Sequence, residues 1–347
     1  MENYKITEYC RKFPGLEIED VLKFLHQSCF GCEHLVSDEN RVLMMIREEL
    51  SSAAKDCIGG IESLDGPFVR LHLDAVESGL APETLAKLFV LSSQKEVEGL
   101  SAMSAKLGEL CALAGSGKVP FSAAAVSSAI EQWRKTDFAP LHHSASFRQR
   151  YCPAYRVIAE EYVPYLPLLR LIDIKSQRGP LIVAIDGRCA SGKTTLGNLL
   201  AKLYDCNVFH MDDFFLQPQQ RTANRLMQPG ENVDHERFLE EVLFPVSKGC
   251  PVLYRRYNCH SGKMDDPVYV TPKELTIVEG VYSLHESLSD YYGLKIFLDI
   301  SAGVQKSRLI LRNGAEFAER FFDKWIPMEE RYFSAFSVRE KADIMIL

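Results

Sequence analysis

The apolar run Leu181 to Ile185 leads almost directly into Gly187-Arg188-Cys189-Ala190-Ser191-Gly192-Lys193-Thr194-Thr195, a full match to the glycine-rich P-loop pattern. Few short segments constrain a fold as much. The pattern needs a buried strand before it and a helix after it, so that successive backbone N–H groups and the positive end of the helix face one point. A polyphosphate is the natural guest. Gly187, Ala190, Ser191, Gly192, Lys193, Thr194 and Thr195 would form its cradle, with Lys193 reaching the β- and γ-phosphates and the Thr194 hydroxyl placed for Mg²⁺. A plain glycine turn between strand and helix would not call for a lysine and a hydroxyl at these two positions. By contrast, Gly115-Ser116-Gly117-Lys118 lacks the first glycine, the following Ser or Thr and a preceding strand, and reads as a loop.

Around this motif the second half alternates short Val/Ile/Leu runs with helical stretches, the pattern of strands buried on both faces of a parallel sheet. Strands are predicted at 181–185, 207–210, 252–254, 275–278, 295–298 and 343–347. The expected class is α/β, a P-loop NTPase fold with a mainly parallel sheet, preceded by a mainly α-helical N-terminal domain. From residue 17 to about 136 the apolar residues recur three and four apart, as in Val42, Leu43, Met45, Ile46 and Leu50. Pro82-Glu83-Thr84 opens one helix, and two more are predicted at 96–113 and 122–135. Length agrees: 347 residues exceed one ordinary domain. The expected division is a helical domain at 1–140, a linking helical segment rich in Tyr, His and Pro at 141–178, and a P-loop domain at 179–347, with the border near Arg178-Gly179-Pro180.

Charge narrows the guest further. With 40 Lys+Arg against 47 Asp+Glu, the net charge is -7, so the chain lacks the general attraction to nucleic acid or anionic lipid that a basic protein has. A local site must hold any anion. No stretch approaches the roughly 18 apolar residues of a membrane span, and Met1 to Lys5 carries no signal-like pattern. A cytoplasmic protein with reduced thiols is expected, its ten cysteines being scattered.

A bound nucleotide alone fits an ATPase, a switch or a phosphotransferase, so the choice falls to carboxylates elsewhere. His210-Met211-Asp212-Asp213-Phe214-Phe215 follows the second strand at the carboxyl edge of the sheet. A carboxylate there can accept a proton from a substrate hydroxyl or help hold a metal; Asp212 is assigned that chemistry and Asp213 a capping or supporting role. Leu275 to Val278 runs into Glu279-Gly280, the form of a Walker-B element, and Glu279 would orient a metal-bound water. Thr194, Asp212 and Glu279 are the candidate metal group.

Together these residues resemble the uridine kinase and phosphoribulokinase branch of P-loop kinases, which also holds pantothenate and nicotinamide riboside kinases; the likeness spans about the last 170 residues. It implies an ATP- and Mg²⁺-dependent kinase acting on a small-molecule hydroxyl, a nucleoside 5′-OH first of all, with Asp212 as base. Nicotinamide riboside, pantothenate or a sugar acid are alternative acceptors, and a non-catalytic ATP-binding regulator is the rival reading. Asn232-Val233-Asp234-His235 matches the family's sugar-hydroxyl element, implicating Asp234. The region of Arg255, Arg256, Tyr257 and His260 resembles the nucleoside pocket, which implies substrate roles for Arg256, Tyr257 and His260. Arg308 and Arg312, four apart on one helical face, fit the family's lid arginines; the arginine-rich loop that follows is shortened to Asn313-Gly314-Ala315, with Arg320 as a candidate replacement. Gln305 stands where uridine kinases place an arginine on the nucleoside.

The first half resembles the leader of some bacterial uridine-kinase-like proteins, which leaves its role open; a regulatory or dimerising module is one reading, and a homo-oligomer follows from the second. His26, Cys29, Cys32 and His34 have zinc-ligand spacing, but without a second ligand pair buried thiols are the preferred reading. Gly31 is placed as a helix stop. His142-His143 with Tyr151 and Tyr155 would face the kinase cleft or pack the linking segment.

Overall fold

The computed structural model describes residues 5–32, 38–52, 59–97, 99–259 and 261–347. The chain forms two compact units that divide between Arg170 and Leu171, inside the helix Leu166–Ser176. No helix among the described residues is long and apolar enough to cross a membrane. No disulfide joins the described cysteines.

In the first unit, helices Ile18–Phe30, Pro82–Ser93, Gly99–Gly115 and Ala123–Arg134 carry most of the apolar face. Helix Ile18–Phe30 stops at Gly31 (φ 62°), whose N–H donates to Gln27 O at 3.0 Å. The helical expectation omits a three-stranded antiparallel sheet made of β1 (Ile61–Ser63), β2 (Phe68–His72) and β3 (Tyr155–Ala159), in that order. β3 lies within the expected linking helix, which resolves into helix Ala145–Tyr151, β3, a 3₁₀ turn Glu160–Tyr165 and helix Leu166–Ser176. β2 is buried along its whole length although it contains Arg70 and His72. The burial of Arg70 is tolerable because its charge is met: it donates to Glu62 (2.9 Å), Gln27 (2.8 Å) and the Tyr9 hydroxyl (3.1 Å), and lies over the Tyr9, Phe24 and Tyr155 rings. His143 is enclosed in the same unit, against Asp20 (3.1 Å), the Tyr155 hydroxyl (2.8 Å) and the Phe147 ring. Cys29 and Cys32 are buried thiols, and burial raises both, Cys32 to about 12. They form no shared cluster with His26 among the described residues, and His34 lies outside them.

The second unit is a five-stranded, all-parallel sheet in the order β10-β9-β4-β8-β5. Here β4 is Leu181–Gly187, β5 Cys206–His210, β8 Leu275–Glu279, β9 Leu294–Leu298 and β10 Ile344–Ile346. β8 is buried throughout and β4 nearly so, with apolar side chains on both faces, which is why their sequences read as continuous apolar runs. The sixth expected strand belongs elsewhere: β6 (Val252–Asn258) forms an antiparallel hairpin with β7 (Lys263–Val270) instead of joining the sheet. A bulge between Arg255 and Tyr257 shifts the register of that hairpin. The order of the sheet places β4 at its centre, with β8 and β9 on either side, so the loops after β4, β8 and β5 open on one edge.

Candidate active site

The loop after β4 turns through Gly187 (φ 138°), Ala190 (φ 61°) and Gly192 (φ 104°) before helix Lys193–Leu203 begins. Lys193 is buried at the helix start, and its Nζ donates to the carbonyls of Gly187 (2.8 Å) and Arg188 (2.9 Å). The loop is tied by hydrogen bonds from two helices. Gln305 Nε2 donates to Cys189 O at 3.1 Å, Arg308 donates to Ala190 O at 3.0 Å, and Cys189 N–H donates to Glu329 Oε2 at 3.0 Å. Gln305 therefore braces the loop from helix Ala302–Asn313.

Behind the loop lies Asp186, fully buried, a residue the motif reading passed over. It accepts N–H groups from Gly187 (2.7 Å), Tyr282 (3.3 Å) and Leu284 (2.9 Å), and the Tyr332 hydroxyl at 2.8 Å. Burial raises its carboxyl despite these donors. An acid in the penultimate position of a buried strand was the available signal.

Glu279, at the end of β8, is buried and accepts from Thr194 Oγ1 at 3.1 Å. His210 Nδ1 meets the same oxygen at 2.5 Å, and that hydrogen bond raises the imidazole above its ordinary value. Thr194 and Glu279 of the candidate metal group are thus in contact, and His210, which sequence reading missed, bonds the same Glu279 oxygen. Gly197, one turn into the helix, leaves room for the Glu279 side chain, whose Cγ lies 3.4 Å from where a Cβ would stand.

Asp212 and Asp213 follow β5 in a short 3₁₀ turn and differ sharply. Asp213 pairs with Arg256 (3.4 Å) and shares a hydrogen bond with Tyr254. Asp212 forms no hydrogen bond among the described residues. It is an exposed residue that lines an open cleft, and partial desolvation raises its carboxyl above an ordinary aspartate, with Lys193 opposing the rise and Glu279 adding to it. A cleft of about 380 Å³ is lined by Asp212, Asp213, Phe215, Arg256, Tyr257 and Asp265, among others.

The remaining sequence candidates are only partly gathered there. Arg256 and Tyr257 line the cleft, and Arg221 donates to the Tyr257 hydroxyl at 3.4 Å. Asp234 is buried: it caps helix His235–Phe238 by accepting Arg237 N–H (3.3 Å), and Gln220 Nε2 donates to its second oxygen at 2.8 Å. Of the lid arginines, Arg308 is on the loop, whereas Arg312 lies over the Phe321 ring and Arg320 over Phe317. His260 lies outside the described residues.

Glu329 supplies a pH test of the loop anchor. Burial raises its carboxyl to about 7 from 4.5, against the pull of Cys189 N–H and Lys193. A carboxyl that holds its proton more tightly folded than unfolded costs stability as pH rises from about 4.5 to about 7, and the penalty is constant above that. Glu329→Gln keeps an acceptor for Cys189 N–H and cannot ionise. It should stabilise the protein by up to about 3 kcal/mol at pH 8 and by nearly nothing at pH 4.5. Urea titrations at both pH values measure this, and a variant weaker than wild type at pH 8 contradicts it.

Residues 182–320 match the family model described as Phosphoribulokinase / Uridine kinase family. Uridine kinase-like protein 5 of Arabidopsis thaliana is 30% identical over 148 residues, 40% of this chain and 31% of that protein. The uridine kinase of Bacillus pumilus is 29% identical over 152 residues, 40% of this chain and 69% of that one. The chain therefore spans about a third of the first relative's length and about two thirds of the second's. A solved structure described as a possible uridine kinase from Bacillus stearothermophilus is 20% identical, covering 52% of this chain and 100% of that one with a TM-score of 0.39. Through residues 182–320, the C-terminal half of the chain carries a domain of the phosphoribulokinase and uridine kinase family.

Proposed function

We propose that the second unit is an ATP- and Mg²⁺-dependent kinase that transfers the γ-phosphoryl group to a hydroxyl of a small molecule, the 5′-OH of a nucleoside. The observation that carries this reading is Asp212: a carboxylate with no hydrogen-bond partner among the described residues, in the lining of a cleft and within the electrostatic reach of the phosphate-loop Lys193. A protein that only bound nucleotide would have no need of a free acid beside a second pocket.

The donor set suits the expected guests. The buried Ser191 hydroxyl has no hydrogen-bond partner among the described residues, and Lys193 is held only by loop carbonyls, so both can turn to a polyphosphate. Thr194, Glu279 and Asp212 are oxygen donors of the kind Mg²⁺ takes, directly or through water. When bound, Mg²⁺ offsets charge on the phosphates. Asp212 accepts the proton of the acceptor hydroxyl as its oxygen bonds to the γ-phosphorus, and the bond to the β–γ bridging oxygen breaks. Lys193 and Arg308 stabilise the negative charge that moves to the leaving phosphate. Asp213, tied to Arg256 and Tyr254, holds the hairpin wall in place. Asp234 can take a sugar hydroxyl once Gln220 yields its oxygen. The nucleoside assignment draws on the relatives named as uridine kinases and on the Tyr257 wall.

A coupled ADP-release screen over uridine, cytidine, nicotinamide riboside, pantothenate and glycerate tests both levels. A nucleoside should stimulate ATP turnover by at least an order of magnitude over the background rate. Turnover with pantothenate or glycerate alone removes the nucleoside. No stimulation by any acceptor removes the kinase.

A further inference from the structure

Away from the cleft, three side chains of the second unit converge. Glu231 lies in the turn before helix His235–Phe238, His235 is the first residue of that helix, and His285 follows β8. One ligand atom of each lies within 4.8 Å of the other two. His235 Nε2 is 3.0 Å from Glu231 Oε1, and His285 Nε2 is 3.9 Å from the same oxygen. On the opposite edge, the Ser287 hydroxyl meets His235 Nδ1 at 3.1 Å and His285 Nδ1 at 2.8 Å. Two imidazoles thus share one hydroxyl on one side and one carboxylate on the other.

His285 is the member that asks for a ligand. Its side chain is 6% exposed, yet Nε2 has no hydrogen-bond partner among the described residues. Burial, with the His235 ring beside it, holds this imidazole down to about 4. A buried ring nitrogen without a partner is uncommon and costly. Gly230 leaves the space next to it open: a Cβ there would stand 2.7 Å from His285 Cδ2 and 3.1 Å from Nε2. Arg225 Nε holds the other oxygen of Glu231, Oε2, at 3.2 Å, which leaves Oε1 facing the two rings.

We propose that Glu231, His235 and His285 bind a divalent transition-metal ion of the zinc class through Glu231 Oε1 and the two Nε2 atoms. Two imidazoles and a carboxylate favour such an ion over Mg²⁺, and water completes its shell. Ser287 would accept from both Nδ1–H groups and so orient both rings, as outer partners of metal-bound histidines do. The rings are stacked, with centroids 4.1 Å apart and planes 15° apart. Since lone pairs lie in the ring plane, one ring turns about its Cβ–Cγ bond to reach the ion. That ring is His285, which breaks no Nε2 hydrogen bond and has Gly230 beside it; the turn also moves Nδ1 off the Ser287 N–H, now 3.3 Å away. The ion would tie the start of the helix capped by Asp234 to the segment after β8. This site is independent of the kinase reading and stands or falls without it.

The test uses the full chain, stripped with chelator and reloaded with Co²⁺ or Zn²⁺. Co²⁺ should give one equivalent with a ligand-field absorption and no thiolate charge-transfer band, the mark of nitrogen and oxygen donors as opposed to the cysteines. Saturating Zn²⁺ should raise the melting midpoint by about 5–10 °C. Both effects should vanish in His285→Ala and in Glu231→Gln, with the fold of each variant checked by circular dichroism. No cobalt spectrum, a thiolate band alone, or a spectrum that survives His285→Ala and disappears in Glu279→Gln each overturns the proposal, the last by moving the ion to the phosphate loop.

Discussion

Asp212→Asn should lower kcat for phosphoryl transfer by about 10²–10⁴-fold, the range expected for loss of a positioned general base, while ATP affinity changes by less than about threefold. The asparagine keeps the size of the side chain and removes only the proton acceptor. In wild type the raised carboxyl must be ionised to act, so the rate should fall as pH drops through a value above that of an ordinary aspartate. The variant should lose this acid limb. Asp213→Asn is the internal control: its carboxylate is paired with Arg256 and Tyr254, so its loss should disturb the hairpin wall and leave kcat within about tenfold. Initial rates with saturating acceptor, together with ATP titrations, decide it. Equal losses in the two variants would remove Asp212 as the base.

Gly187→Ala should cost at least about 3 kcal/mol of stability and abolish nucleotide binding. Two effects add. At φ 138° the backbone lies where side chains are rarely tolerated, and a Cβ would stand 2.0 Å from the carbonyl oxygen of Leu298, the residue paired with Gly187 across β4 and β9. Neither backbone can yield without parting the strands at the sheet's centre. Gly192→Ala separates the two effects, since its φ is 104° but nothing lies within 4 Å of the added carbon. That variant should lose only the strain, about 1–2 kcal/mol. Guanidinium titrations of both variants give the comparison, and Gly187→Ala as stable as Gly192→Ala would contradict it.

The parts of this fold that the sequence makes legible are those whose burial is two-sided. β4 and β8 read as nearly continuous apolar runs because both their faces are buried, and the P-loop lies between a strand and a helix as its pattern demands. β7 escapes because Lys263–Val270 is mostly exposed and carries Lys263, Asp265 and Asp266, so no apolar periodicity survives. β2 escapes for the opposite reason: its buried residues include a histidine and an arginine, and the place of the arginine is set by Glu62 on the neighbouring strand and by Gln27 and Tyr9, 43 and 61 residues away. The same holds in the site. Lys193, Thr194 and Glu279 follow from spacing, whereas His210, Asp186 and Glu329 gain their meaning only from partners 69, 96 to 146 and 140 residues away. Gln305 reads in sequence only as a departure from the arginine that uridine kinases place on the nucleoside; its role as a brace on Cys189 emerges once the helix is placed.

The single carboxylate of Asp186 gathers donors from the start of the phosphate loop, from the turn after β8 and from Tyr332. Those two loops therefore cannot shift past each other without stranding a buried charge. Any closure around a guest has to come from the other side, from the β6–β7 hairpin. The cleft has one fixed jaw, cast in place by a residue that never touches what it holds, and only the opposing jaw is left to bite.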